Sequence, residues 1–476
     1  MTMPGAKRGQ TVSLGTGGAR ETHVGIPQRR GRGRLADSSP VTRAGGPNNL
    51  NQGSVRSTRP PTAPASFHVM AKPTGAICNL DCSYCFYLAK EALYPGGRFR
   101  MGDEVMEAYI RQVLEAQPGP EVTIAWQGGE PMLMGLSFFR RVVEVAERYR
   151  RPGQRVLHTL QTNATLLTEP WAAFLAEHQF LVGISLDGPP AIHDAYRVDK
   201  RGQPTSSRVL AGMEALRRHG VDFNILCTVH AANAGAPLEV YRFFRDDCQA
   251  RFIQFIPIVE RASTLESQPA ATSRSVTPEQ WGRFLIAVFD EWLARDVGTV
   301  FVQAFDAALA SWMGIQPGLC VFAETCGSAV ALEHNGDVYS CDHFVSPEHL
   351  IGNIRETHLV ELMASEQQQR FGEAKRDTLP AYCMSCDVRF ACWGECPKNR
   401  FASAPDGGGG LNYLCAGYKE FFHHIAPPMQ IMSDLVRRGL PAAEVRRLLE
   451  GAPRNAPCPC GSGRKTKHCH GRHSPA

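Results

Sequence analysis

The chain has 476 residues, 43% of them hydrophobic, and no apolar run of the ~18 residues that a membrane-spanning helix needs, so the length is available for two or three globular domains. Its formal charge of +5 belongs to the ends: residues 1–66 hold ten Lys/Arg against Glu21 and Asp37, residues 451–476 hold five basic and no acidic residues, and the middle is left at about −8. That balance excludes a nucleic-acid-binding core, and the missing apolar signal segment points to the cytoplasm.

Residues 1–66 are rich in Gly, Arg, Pro and Ser without apolar periodicity, and are expected to form a disordered basic extension. From 67 to about 260, β-branched and aromatic runs alternate with helical periodicity. The expected strands are "FHVMA", "VTIAW", "VLHTLQT", "LVGISLD", "FNILCTV" and "FIQFIPIV". Between them lie five segments, from "DEVMEAYIRQVLEAQ" to "PLEVYRFFRDD", whose apolar residues recur at three and four. Six βα units in strict alternation predict an α/β fold, a partial (β/α)6 barrel with a parallel sheet. Each polar motif follows a strand, at the edge where such barrels carry their active sites: the cysteine loop, then "QGGEP", "QTNA" and "SLDGPP".

Two further helical stretches fill the chain to 315. Beyond 316 the periodicity weakens and cysteines take over, with "APDGGGG" (404–410) as a flexible loop and "AAEVRRLLE" as a last short helix. The expected domains are 67–315, the barrel with connecting helices; 316–425, a cysteine-rich domain; 426–450, a helical linker; and 451–476, a small knuckle.

Sixteen cysteines are too many for thiols used only as small core residues where disulfides are rare, so metal is their expected use. Three lie in "CNLDCSYC": Cys78, Cys82 and Cys85. They can hold three irons of a 4Fe-4S cube and leave the fourth open, or form a zinc knuckle with a distant fourth ligand. Eight more, between 320 and 415, suffice for two complete cubes. Cys458, Cys460, Cys469 and His470 in "CPCGSGRKTKHCHG" have the spacing and mixed donors of a tetrahedral zinc site.

The three-cysteine loop, with an aromatic residue before its last cysteine, resembles the signature of the radical S-adenosylmethionine superfamily. The resemblance implies that the amino and carboxylate groups of S-adenosylmethionine chelate the open iron. It assigns to the cofactor Tyr84, Gly128, Gly129 and Glu130 of "GGEP", Asn163 of "QTN", Ser185 of "SLDG", Arg197 of "HDAYR" and Val259 of "FIQFIPIVE". The family usually has Gly after "QTN", where this chain has Ala164; a positive φ there would strain alanine.

The later cysteines resemble the SPASM domain, which implies three 4Fe-4S clusters in all. Cys320, Cys326, Cys341 and Cys396 would hold one auxiliary cluster, and Cys383, Cys386, Cys392 and Cys415 the other. "LEHNGDVYSCDHFV" and "LIGNI", with "GISLDGPPAIHDAYR", resemble the anaerobic sulfatase-maturating enzymes, which oxidise a cysteine or serine of a sulfatase polypeptide to Cα-formylglycine. Asp342 would then take the proton from the substrate radical, with Tyr84 and Tyr87 bordering substrate and cofactor. Reduced flavodoxin or a ferredoxin-type protein would donate electrons. His343 reads as structural. The tail resembles the SEC-C motif, implying contact with ribosome, chaperone or translocase. Another SPASM-type maturase, such as one forming thioether crosslinks, and a non-enzymatic iron-sulfur electron carrier are the alternatives.

Overall fold

The computed structural model describes residues 64–262, 271–459 and 463–468. Residues 1–63 of the expected extension lie outside the described residues, as do Cys460, Cys469 and His470. Strands β1 (His68–Lys72), β2 (Glu121–Trp126), β3 (Arg155–Thr162), β4 (Leu181–Ser185), β5 (Phe223–Val229) and β6 (Phe252–Pro257) pair in chain order, all parallel. Helices Asp103–Ala116, Leu136–Tyr149, Glu169–Glu177 and Ser206–His219, and the shorter Pro237–Arg242, alternate with them, as the periodicity predicts. A strand buried on both faces needs no polar alternation, and β4, buried at four of its five positions, has none.

The sheet is wider than six strands. Phe301–Val302 (β7) adds in parallel beside β6. On the other edge Ala329–Glu333 (β8) pairs in parallel with β1, and Asp337–Tyr339 (β9) and Leu350–Asn353 (β10) follow antiparallel. The result is one ten-stranded sheet in the order β10-β9-β8-β1-β2-β3-β4-β5-β6-β7. The turn from β8 to β9 runs through Asn335-Gly336, with Gly336 at φ +95°. An Asn-Gly pair between two short apolar runs is a hairpin signal. The cysteine-rich segment is therefore continuous with the barrel sheet, and β8 sets it against the strand that leads into the first cysteine loop.

Helix Cys415–Arg437 contains Pro427 and Pro428 and runs across the boundary expected at 425/426. It packs against helix Pro278–Arg295, which opens with a reciprocal Thr277–Gln280 capping box. The crossing is made by two glycines: a Cβ on Gly417 would stand 2.0 Å from the carbonyl oxygen of Pro278, and one on Gly282 would stand 2.8 Å from Gly417 Cα. This contact fixes the first turn of the long helix, and with it Cys415. The last helix, Glu444–Glu450, buries Val445 and Leu449 in the main core, and Cys458 belongs to the same core. Among the described residues no helix is long and apolar enough to cross a membrane.

Candidate active site

The first cysteine loop is held in place by backbone bonds to two other loops at the C-terminal edge of the sheet. Asp81 and Ser83 donate their amides to Val198 and Tyr196, and the amides of Gly129 and Glu130 donate to Gly75 and Ile77. Gly129 is required here because its Cβ would stand 2.0 Å from the Ile77 carbonyl oxygen, while Gly128 adopts φ +117°. Cys78, Cys82 and Cys85 lie within electrostatic reach of one another. Burial pushes the Cys78 thiol up to about 12, so a metal must displace its proton.

Glu130 is fully buried at the heart of this junction. Its Oε1 accepts from the Met132 amide at 2.9 Å and from the Thr162 hydroxyl at 2.8 Å, and its Oε2 accepts from the Asn163 amide at 2.8 Å. Burial raises its pKa to about 7 against the pull of those three bonds. Asn163 donates to Asn79 Oδ1 at 2.9 Å, inside the cysteine loop, and accepts from the amide and hydroxyl of Thr165. Ala164 has φ +61° in a fully buried position, so the strain expected where the family places glycine is present.

Arg197 reaches Asp187 rather than solvent: its Nε lies 2.8 Å from Oδ2, with the guanidinium over the Tyr84 ring at 5.5 Å. Tyr84 donates to the same carboxylate, and Thr228 donates to Oδ1 through both its amide and its hydroxyl, at 3.0 and 2.8 Å. Burial alone would raise the Asp187 pKa, but Arg197 and His230 hold it well below the usual carboxylate range. Asp187 thus locks the arginine and the aromatic residue before Cys85 in one network. Ser185, at the end of β4, accepts from Gln161 Nε2 at 3.0 Å, and Val259 is buried just beyond β6.

The eight later cysteines divide into two groups. Cys320, Cys326, Cys341 and Cys396 influence one another electrostatically. Cys383, Cys386, Cys392 and Cys415 line one small pocket. No disulfide links the described cysteines. Among the described residues no three His, Cys, Asp or Glu side chains come close enough to share a single ion.

The two cysteine regions meet at Asp342. Lys72, the fully buried last residue of β1, places Nζ 2.5 Å from Asp342 Oδ1 and 3.5 Å from Glu333 Oε1 at the end of β8. Tyr87, two residues after Cys85, donates its hydroxyl to Asp342 Oδ2 at 2.6 Å, and Lys90 Nζ donates to the Asp342 carbonyl oxygen at 2.6 Å. Burial opposes the charged form of Asp342, yet Lys72, Lys90 and His343 hold its carboxyl well below the usual range. His343 Nδ1 lies 3.5 Å from Cys396 Sγ, and its ring meets Phe86 edge-on at 5.5 Å. Phe86 is an exposed aromatic at the rim, with Lys90 and Lys398 over its ring at 4.5 and 5.3 Å.

Asp342 beside Cys341 is legible in the sequence, whereas Lys72, Lys90, Glu333 and Asp187 are not. Asp187 stands inside the "SLDG" motif from which only Ser185 is taken. Lys72 leaves one trace, a charge ending the apolar strand "FHVMA".

The profile of the Radical SAM superfamily matches residues 73–244, that of SPASM, an iron-sulfur cluster-binding domain, residues 320–387, and the SEC-C motif residues 454–472. A serine-type anaerobic sulfatase-maturating enzyme of Bacteroides thetaiotaomicron is 47% identical over 399 residues, covering 81% of this chain and 96% of the relative. A cysteine-type enzyme of Clostridium perfringens is 33% identical, covering 75% of this chain and 96% of its own. The solved structure of native anSMEcpe with bound AdoMet and the Cp18Cys peptide superposes with a TM-score of 0.70 at 32% identity, covering 78% of this chain and 99% of that one. The chain belongs to the anaerobic sulfatase-maturating enzymes of the radical S-adenosylmethionine superfamily.

Proposed function

We propose that the chain oxidises a cysteine or serine in a sulfatase polypeptide to Cα-formylglycine, with Asp342 as the proton acceptor. The observation that carries this reading is the contact between Tyr87, beside the first cysteine triad, and Asp342, beside Cys341 of an auxiliary quartet. Cys78, Cys82 and Cys85 would hold the cluster that, with S-adenosylmethionine, would supply hydrogen-atom abstraction at the target Cβ, and Cys320, Cys326, Cys341 and Cys396 would hold a one-electron acceptor nearby. Asp342 stays ionised under the fields of Lys72 and Lys90, so it is ready to take the proton the substrate sheds as it becomes an aldehyde or thioaldehyde. Tyr87 orients that carboxylate. Arg197, Tyr84 and Asp187 hold the floor of the cofactor pocket, with Gly128, Gly129, Glu130, Asn163, Ser185 and Val259 around it.

The two auxiliary quartets hold 4Fe-4S clusters in this reading, and Cys458, Cys460, Cys469 and His470 hold zinc. The electron donor is a reduced flavodoxin or ferredoxin-type protein, and the enzyme works in the cytoplasm on an unfolded or nascent sulfatase. The basic SEC-C tail brings it to ribosome, chaperone or translocase. Deletion of 451–476 is expected to spare turnover of a short peptide while reducing sulfatase activation in cells; equal loss in both argues against delivery. The hydrogen abstraction is tested with a peptide deuterated at the target Cβ. Deuterium appearing in 5′-deoxyadenosine supports the reading, and 5′-deoxyadenosine formed without it refutes it.

A further inference from the structure

We propose that Arg400 is a positioning residue for electron transfer, a fixed positive charge shared by the two auxiliary cysteine quartets that sets their reduction potentials together. The inference rests on the cluster reading above. In the chain Arg400 lies between Cys396 of one quartet and Cys415 of the other, in the "PKNRF" segment after the short turn Pro397–Asn399.

Its guanidinium is half-buried and every nitrogen is used. Nε donates to the Gly394 carbonyl at 3.1 Å, Nη2 to the Trp393 carbonyl at 2.8 Å, and Nη1 to the Lys375 carbonyl at 2.6 Å. A planar fork with three backbone partners cannot swing away, and arginine keeps its charge at any working pH. Gly394 makes room for it: φ is +66°, and a Cβ there would stand 2.8 Å from Arg400 Nη2. The fork thus grips the Trp393–Gly394 turn that joins Cys392 of one quartet to Cys396 of the other, and Gly394 lines the same pocket as Cys383, Cys386, Cys392 and Cys415.

A second cation stands on one side only. Lys375, 1% exposed, donates Nζ to the carbonyls of Cys320 and Val321 at 2.7 and 2.9 Å and to that of Ala323, and its field reaches Cys320, Cys326 and Cys396. The acid nearest the two cations is the buried Glu395, bonded to Asn399 and Asn412, and burial pushes its pKa up and so weakens its opposing charge. Reduction adds a negative charge to a cluster, and cluster potential follows local charge and burial. A shared arginine therefore eases reduction of both clusters, and the extra lysine raises the Cys320, Cys326, Cys341 and Cys396 cluster further, the one adjoining Asp342. An electron leaving the substrate would meet that acceptor first, with the second quartet beyond the same guanidinium.

The test is a redox titration of the iron-loaded chain, followed by electron paramagnetic resonance, with Arg400→Gln and Arg400→Lys beside the unaltered protein. Arg400→Gln should lower the potentials of both auxiliary signals and leave the Cys78, Cys82 and Cys85 cluster where it was. Arg400→Lys, which keeps the charge and loses the fork, should hold both auxiliary potentials near their starting values. Unmoved auxiliary potentials in an iron-replete Arg400→Gln chain overturn the inference. Shifted auxiliary potentials in an iron-replete Arg400→Lys chain, whose charge is kept, overturn it as well. If the unaltered chain gives no auxiliary signals, it is the cluster reading that fails.

Discussion

The ammonium of Lys72, at the end of β1, lies 2.5 Å from the carboxylate of Asp342, which follows a thiol of the first auxiliary quartet. The contact exists because β8 pairs with β1 residue by residue from His68–Ala329 to Lys72–Glu333, so both cysteine regions hang from neighbouring strands. An acidic group placed this way is ionised and oriented by Tyr87.

Asp342→Asn keeps the shape and removes the carboxylate proposed to take the proton. Formation of aldehyde should fall by about 10²–10⁴-fold, while release of 5′-deoxyadenosine, an earlier event, continues. Parallel quantification of the nucleoside and the modified peptide checks this, and an equal fall in both would assign Asp342 to cofactor binding instead.

Lys72→Met should be severe. Lys72 is fully buried and balances two acids, Asp342 and Glu333, at 14% and 3% side-chain exposure. Removing one partner of a buried ion pair costs roughly 3–5 kcal/mol, because the other charge is left uncompensated. Anaerobic denaturant unfolding measures the loss, and the double change Lys72→Met with Asp342→Asn should recover part of it.

Much of this was readable in the sequence, and the exceptions share a cause. All six strands of the barrel and the order of the motifs follow from local periodicity, because each apolar run makes its own strand and each polar motif simply comes next. The division of the eight cysteines into two quartets is what the family likeness implies. What was not readable is long-range: that Lys72 faces Asp342, or that Asp187 holds Arg197 and Tyr84, depends on which strands become neighbours. The β8–β9 hairpin is local, but its strands of five and three residues are too short for alternation to show, so only the Asn335-Gly336 turn marks it.

Glu130 should impose a pH dependence. Its carboxyl is held to about 7 in the fold against 4.5 unfolded, so the folded chain keeps a proton that the unfolded chain has lost. That contribution to stability is complete below pH 4.5 and disappears as the pH rises through about 7. Between pH 5 and 8 the stability advantage over Glu130→Gln should shrink by about 2–3 kcal/mol. Denaturant unfolding of both chains at the two pH values reads it directly; parallel curves would show that Glu130 is ionised throughout.

Gly129→Ala brings a methyl group to 2.0 Å from the Ile77 carbonyl and must push the "QGGEP" and cysteine loops apart. The expected result is a chain that retains its auxiliary iron but loses most of the iron of the first cluster. Iron analysis with spectroscopic assignment checks it, and full occupancy of the first cluster would contradict the packing argument.

The account as a whole is tested most directly by mass spectrometry of a sulfatase peptide incubated anaerobically with the iron-loaded chain, S-adenosylmethionine and a reductant. It predicts loss of two hydrogens from a serine, or conversion of a cysteine's CH2SH to CHO. Cofactor cleaved while the peptide keeps its mass, or gains a crosslink in place of an aldehyde, would contradict it.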